Sequence, residues 1–294
     1  MAPGPALAAR FTIDGHPLDA SPRPAAQIVS EICLALGWFS DEAVCREKAE
    51  HWEAAYLKYL RNELDAANRM GRPSRFAINS SSEYMVQGAC FIEPGDSTET
   101  EEAKKKRLHY LTHLSWLQGL DPSKFEIACS GIIALMGATD VHVTPLSGDQ
   151  GIDFYGRLKL EGKLGLVYAL GSFDRRLGIW LVGQAKRYKS VQVATPDLRE
   201  LIGSIELART GTYVGSGKGL EDLRILSCDP VFYLFFTTGR ISRDGWELLE
   251  KTGVVGLDGE MVAAFLADNG VGLYDGQVST EALEKWLDGY GSST

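Results

Sequence analysis

The sequence predicts an α/β layered protein preceded by a mainly helical N-terminal region, and three observations carry that reading. Beyond Leu120, helix-spaced and strand-like apolar segments alternate. The unbroken apolar run Val231-Phe-Tyr-Leu-Phe-Phe236 has the composition of a strand buried on both faces. Between Ala25 and about Met70, apolar residues recur only at helical spacing.

Taken in order, Ile28, Ile32 and Leu36, then Trp52, Tyr56, Tyr59 and Leu60, define the helical N-terminal stretch, which Gly37 interrupts. A Gly/Pro/Ser-containing stretch from Met70 to Tyr84 and a short apolar segment, Tyr84 to Ile92, follow. The polar run from Glu93 to Glu102 reads as a linker or exposed loop, so the expected division is an N-terminal region over 1–103 and a second domain over 104–294. Lys104 to Arg107 open a helix carrying Leu108, Leu111, Leu114 and Leu117, with the basic residues on a solvated face. Asp121-Pro122 starts another, with Phe125, Ala128, Cys129, Ile132, Ile133 and Met136 along one stripe. Val141 to Thr144 and Ile152 to Tyr155 read as strands on either side of a glycine-containing turn, and Ile179 to Val182 as an apolar strand ending at Gln184 and Lys186. Thr195-Pro196-Asp197 gives a capped helix start for Leu198, Leu201, Ile202 and Ile205. Ser242 to Lys251 and Glu260 to Asp268 are helices around a strand Val254 to Leu257, and Ser279 to Asp288 is a final amphipathic helix.

Bulk properties narrow the function. The 294 residues exceed the usual single-domain size, 45% of them are hydrophobic, and no apolar run approaches the roughly 20 residues of a membrane helix. Met1 to Arg10 lacks the basic-then-apolar pattern of a secretory signal, which sets the expectation of a cytoplasmic protein without membrane association. The 5 cysteines are scattered and form no C-x-x-C pair, so neither a zinc knuckle nor a disulfide framework is indicated. A formal charge of −9 gives no bulk attraction to nucleic acid; any contact must come from local basic patches.

One constellation carries chemistry. Gln184 and Lys186 are two apart on a strand and share a face, while Ala185 points into the packing. Asp153, on a neighbouring strand, can offer its carboxylate to the same small volume, so that one divalent cation would bind Asp153 and the Gln184 carbonyl oxygen. Glu126, at its helix start, would complete the shell directly or through water, or would serve only as a first-turn acid favoured by the helix dipole. Lys186 would orient or activate water and offset charge building on phosphorus. Arg187, Tyr188 and Lys189 form a basic cluster that would meet a phosphate backbone or simply be solvated. Asp149, between Gly148 and Gly151, suits an ordinary turn. His109 and His113 lack the intervening Glu of a metalloprotease helix, and Gly215 to Gly219 fails the Walker pattern because position 212 is Thr and Lys218 precedes Gly219.

Read together, Phe125-Glu126, Ser147-Gly-Asp-Gln-Gly-Ile-Asp153, Gln184-Ala-Lys186, the helix from Thr195 to Ile205, Thr237-Thr-Gly239 and Leu257-Asp-Gly-Glu260 occur in one order. Over about Leu120 to Leu266 the sequence resembles the catalytic domain of Mrr-type restriction endonucleases, in the PD-(D/E)xK nuclease superfamily, with a Q-x-K variant of the ExK motif. The resemblance implies a restriction-endonuclease-like mixed sheet flanked by helices and catalysis by Glu126, Asp153, Gln184 and Lys186. It implies Mg²⁺, for which Mn²⁺ can substitute, held by Asp153, Gln184 and Glu126, and DNA as substrate, cut to leave a 5′-phosphate in restriction or anti-phage defence. Segments 161–178 and 209–229 are longer than the compact family core needs, and Gln184 in place of an acid leaves the metal fewer formal negative ligands. Cutting both strands needs two sites or two binding events, which a homodimer or higher assembly would supply. The region 1–103 would serve recognition or regulation, through a ligand or partner. The alternatives are a repair or junction-resolving nuclease and a non-catalytic nucleic-acid-binding scaffold.

Overall fold

The computed structural model describes residues 2–144, 151–161, 177–188, 192–193, 196, 198–199, 202–203, 222–226 and 228–291. The chain divides into two compact units between His109 and Tyr110.

In the first unit three helices, α1 (Pro5–Gly15), α2 (Ala25–Ala35) and α3 (Glu42–Met70), pack together beside a small antiparallel sheet ordered β1 (Arg23–Pro24), β3 (Met85–Gly88), β2 (Phe76–Ile78). Gly37 ends α2 as anticipated: it adopts φ +61°, and the N–H of Trp38 then reaches back to Cys33 O at 2.9 Å. Asp41 caps α3 by accepting from Ala43 N at 2.8 Å, and Gly71 closes its far end at φ +67°. Ile28, Val29, Cys33, Tyr56, Leu57, Leu60, Phe76 and Val86 form the core. The Tyr56 hydroxyl is satisfied there by the Thr12 hydroxyl at 2.8 Å, while burial pushes its pKa up to about 12.

The expected linker is only half a loop. Thr98–Arg107 is a helix, α4, because Ser97 caps it by accepting from Thr100 N at 3.2 Å and because Glu99 and Glu101 in its first turn and Lys104 to Arg107 in its last oppose the helix dipole. It buries no residue. Its anchor is Lys104, whose ammonium donates to Phe91 O at 2.8 Å and to Asp96 Oδ2 at 2.7 Å. The helix foreseen from Lys104 to Leu117 is therefore two helices, with the break at the boundary between the units.

The second unit is built on a five-stranded mixed sheet. After α5 (Tyr110–Gly119) and α6 (Pro122–Leu135) come β4 (Ala138–Val143), β5 (Phe154–Lys159), β6 (Gly178–Lys186), a two-residue β7 (Gln192–Val193) and β8 (Val231–Thr237). The chain continues through β9 (Arg240–Ile241), α7 (Arg243–Thr252), β10 (Val255–Leu257), α8 (Gly259–Asp268), a hairpin of β11 (Leu273–Tyr274) and β12 (Gln277–Val278), and α9 (Thr280–Gly291). The sheet order is β10-β8-β6-β5-β4. β4, β5 and β6 pair antiparallel, and β6, β8 and β10 pair parallel. The apolar run Val231 to Phe236 thus lies inside the sheet, with a parallel neighbour on each side, as its composition requires.

α6 covers one face of this sheet. Asp121 caps it by accepting from Lys124 N at 2.9 Å, Pro122 occupies the first turn, and Phe125, Ala128, Cys129, Ile132 and Ile133 are buried. The opposite face is covered by Leu198, Ile202, Ile241 and Leu249, packed against Phe235 and Tyr233. Most of the expected Thr195–Ile205 helix, the string Ser147–Gln150, Lys189 and the Gly215–Gly219 loop lie outside the described residues.

Close packing beside the site makes one glycine obligatory. Gly183 pairs with Phe154, whose fully buried ring stacks on Phe236 at 5.3 Å; a Cβ at position 183 would lie 2.1 Å from that ring. Gly183→Ala is therefore expected to cost at least the upper end of the about 1–3 kcal/mol typical of overpacking. Thermal unfolding followed by circular dichroism checks this, and an unchanged melting midpoint would contradict the packing described.

Candidate active site

The site forms where β5 and β6 stop pairing regularly. The last regular pair is Phe154 with Gly183. One residue earlier, the N–H of Asp153 also reaches Gly183 O, at 2.9 Å, and Asp153 Oδ2 accepts from Ala185 N at 2.6 Å. The carboxylate thus takes the place of the next carbonyl in the ladder, beside the peptide that joins Gln184 to Ala185. Thr144 holds the other side of this turn: its N–H donates to Asp153 O at 2.9 Å and its hydroxyl donates to Ile152 O. Gly151 enters the turn at φ +82°, a backbone state that explains a glycine there.

Asp153 is 7% exposed and Gln184 1% exposed. Gln184 Oε1 is buried and has no hydrogen-bond partner among the described residues. An unsatisfied buried carbonyl costs about 1–3 kcal/mol, so its presence calls for an explanation. Lys186, two residues on and half-buried, shares Gln184's face of β6 and pairs in register with Thr237.

Glu126 lies in the second turn of α6, one helical turn before Cys129. Burial pushes the Cys129 thiol well up, and the carboxylates of Asp153 and then Glu126 raise it further. Both acids thus lie within electrostatic reach of one buried thiol. The structure thus brings the Asp153 carboxylate to the backbone of β6 at Ala185, next to Gln184 in the chain; Gln184 and Lys186 lie on the sheet face of Phe235 and Thr237, while Glu126 belongs to α6, which covers the other face.

The basic cluster is used more internally than its sequence suggests. Arg187 donates from Nη2 to Gln118 O at 3.0 Å, and its Nε is buried without a partner among the described residues. Tyr188 is half-buried against the Leu198–Phe235 cluster. Of the two histidines spaced one turn apart, His113 is buried and its Nε2 lies 2.8 Å from Val271 O. Thr144, Gln118 and Thr238 were not singled out individually from the sequence; the Thr-Thr-Gly string at the end of an apolar strand is the signal that marks the last of them.

The donor chemistry fits a hard cation. A buried carboxylate and a buried amide oxygen without a partner among the described residues are oxygen donors, the kind suited to Mg²⁺ or Mn²⁺, and Glu126 would add a second carboxylate. Among the described residues no group of three His, Cys, Asp or Glu side chains forms a metal cluster.

The family model for the Mrr catalytic domain, described as restriction endonuclease, matches residues 117–219. Solved structures with a similar course are the MspJI restriction endonuclease in complex with a 27-mer oligonucleotide, at 20% identity and TM-score 0.42, and the DNA modification-dependent restriction endonuclease AspBHI, at 15% and 0.39. They cover 69% and 74% of this chain, which spans 40% and 47% of theirs. Restriction endonuclease FokI bound to DNA aligns over 97% of this chain and 46% of its own, at 11% identity and TM-score 0.33. No curated protein sequence matches.

Proposed function

We propose that this chain, whose residues 117–219 form a Mrr-type restriction endonuclease catalytic segment, is a divalent-metal-dependent endodeoxyribonuclease serving restriction or anti-phage defence in the cytoplasm. The observation that carries the reading is the buried Gln184 Oε1, without a partner among the described residues, on the strand whose next backbone N–H is held by the buried Asp153 carboxylate. A cation held there would account for the cost of burying that amide oxygen.

In this reading Asp153 and Gln184 hold Mg²⁺ or Mn²⁺, and Glu126 joins them directly or through water. A cation held there would supply Lewis-acid polarisation of the scissile phosphate and a more nucleophilic water. The chain's own residues do the rest. Asp153 keeps its ligand position because Ala185 N–H fixes one carboxylate oxygen at 2.6 Å. Lys186 presents an ammonium to the attacking water and to the charge that builds on the phosphoryl oxygens. Arg187, tied to Gln118 O, and Tyr188, packed against the Leu198–Phe235 cluster, hold the end of β6, so that contact with the DNA backbone would fall to Lys189, next in the chain. One such site cuts one strand, so a double-strand break would use two chains or two successive encounters. The first unit, which the family match does not reach, would select or regulate the target.

The test is cleavage of supercoiled plasmid by the full chain with Mg²⁺ or Mn²⁺. Nicked and linear products are expected, abolished by a chelator and lowered roughly 10²-fold or more by Asp153→Asn. Cleavage that persists in chelator would refute metal dependence, and an undiminished Asp153→Asn rate would refute the site. A wild-type chain that binds DNA without cutting it would favour the scaffold alternative.

A further inference from the structure

The regular ladder between β6 and β8 ends at Lys186 opposite Thr237, yet the chain stays tied to β8 for two residues more. The tie is a side chain. Thr238, 1% exposed, accepts from Tyr188 N and donates to Tyr188 O, both through its hydroxyl and both at 2.9 Å. Its own N–H lies 3.4 Å from Lys186 O, at the weak end of hydrogen bonding. A single hydroxyl thus supplies the donor and the acceptor of a missing ladder rung, at the point where β8 turns away through Gly239.

Neighbouring contacts lock the same spot. Gln118, at the end of α5, donates from Nε2 to Thr238 O at 3.5 Å and accepts from Arg187 through its own carbonyl at 3.0 Å. Gly239 N donates to Thr237 Oγ1 at 3.1 Å, holding the departing strand. Without these ties Lys186 would be the frayed last residue of a strand, and a catalytic ammonium there would sample positions far wider than chemistry tolerates.

We infer that Thr238 is a positioning residue: by clamping the Tyr188 peptide groups it fixes the backbone from Lys186 to Tyr188 and so aims the Lys186 ammonium, without itself touching substrate. The inference rests on the nuclease reading above. Serine keeps both functions of the hydroxyl, whereas valine keeps the shape and loses both.

Two measurements on the full chain test it together. Hydrogen exchange at the Tyr188 amide is expected to be slow in the wild type and in Thr238→Ser, and fast in Thr238→Val. Plasmid cleavage is expected to lose roughly 10- to 100-fold in kcat in Thr238→Val, with KM for DNA little changed, and to be near wild type in Thr238→Ser. Unchanged Tyr188 exchange in Thr238→Val would overturn the clamp, and lost protection with full cleavage would overturn its role in aiming Lys186. Equal damage by serine and valine would also overturn it, since packing rather than the hydroxyl would then be at work. A wild type that fails to cut DNA removes the nuclease reading and this inference with it; an active wild type matched in cleavage by Thr238→Val removes the aiming role of Thr238 and leaves the nuclease reading standing.

Discussion

Lys186→Ala is expected to leave a folded protein that binds DNA and cleaves it roughly 10²–10³-fold more slowly, the loss seen when one group stabilising developing charge is removed. The side chain sits half-buried at the end of β6, and among the described residues no Asp or Glu lies within ion-pair distance of it, so truncation strips no structural salt bridge. The backbone of the residue is held independently, by its pairing with Thr237 and by the Thr238 ties beyond. Stability should therefore move little while chemistry collapses, and the fall should appear in kcat rather than in KM. Lys186→Arg should not rescue, because a planar guanidinium delivers its charge farther from the backbone and in a fork rather than at a point. Single-turnover plasmid cleavage beside a thermal melt makes the comparison. Full activity in Lys186→Ala would end the assignment of that ammonium to the reaction.

The residues that make this experiment designable were visible in the sequence because period-two spacing is a rule of strands. Gln184 and Lys186 had to share a face once 179–186 was read as a strand, and α6, β8, α7, α8 and α9 followed from helix spacing and from the unbroken apolar run. Legibility failed where local polarity and hydrogen bonding compete. Thr98 to Glu102 was read as linker because it has no apolar stripe; the Ser97 cap, the end charges and Lys104 make it the start of a helix instead. The small hairpin at Leu273–Val278 went unforeseen although Asp275-Gly276, at φ +49° and +73°, is a favoured two-residue turn; its strands are too short to show alternation. Helix α1 was hidden in an Ala/Pro-rich start, where Pro5 falls in the first turn and costs nothing.

Within the candidate site, pattern could propose members but not energetics. That Asp153 would replace a ladder carbonyl at Ala185, or that one threonine would close a rung for two backbone groups, depends on where pairing stops. Sequence fixes that point poorly: Asp153 falls just outside β5, although it was read as part of the strand. The same holds for Gly183, whose missing side chain is explained only once Phe154 lies across it.

Gln184→Leu is expected to move stability and activity in opposite directions. Leucine is close in shape to glutamine and removes the buried carbonyl that finds no partner among the described residues, a group whose desolvation costs about 1–3 kcal/mol. Without metal the variant should therefore melt several degrees higher than the wild type, at about 2–4 °C per kcal/mol for a unit of this size. Added Mg²⁺ or Mn²⁺ should invert the order. A cation at one hundred times its Kd stabilises the folded wild type by about 2.7 kcal/mol, and a variant that has lost a ligand receives much less of this. Cleavage should fall with it, because the remaining carboxylates hold the cation without the third oxygen. Melting curves with and without metal, read beside plasmid cleavage, separate the cases. A lower melting point for metal-free Gln184→Leu would mean that the amide is already satisfied by the fold, and a wild type indifferent to divalent cations would take away the reason for keeping an unpaired oxygen in the interior of a strand.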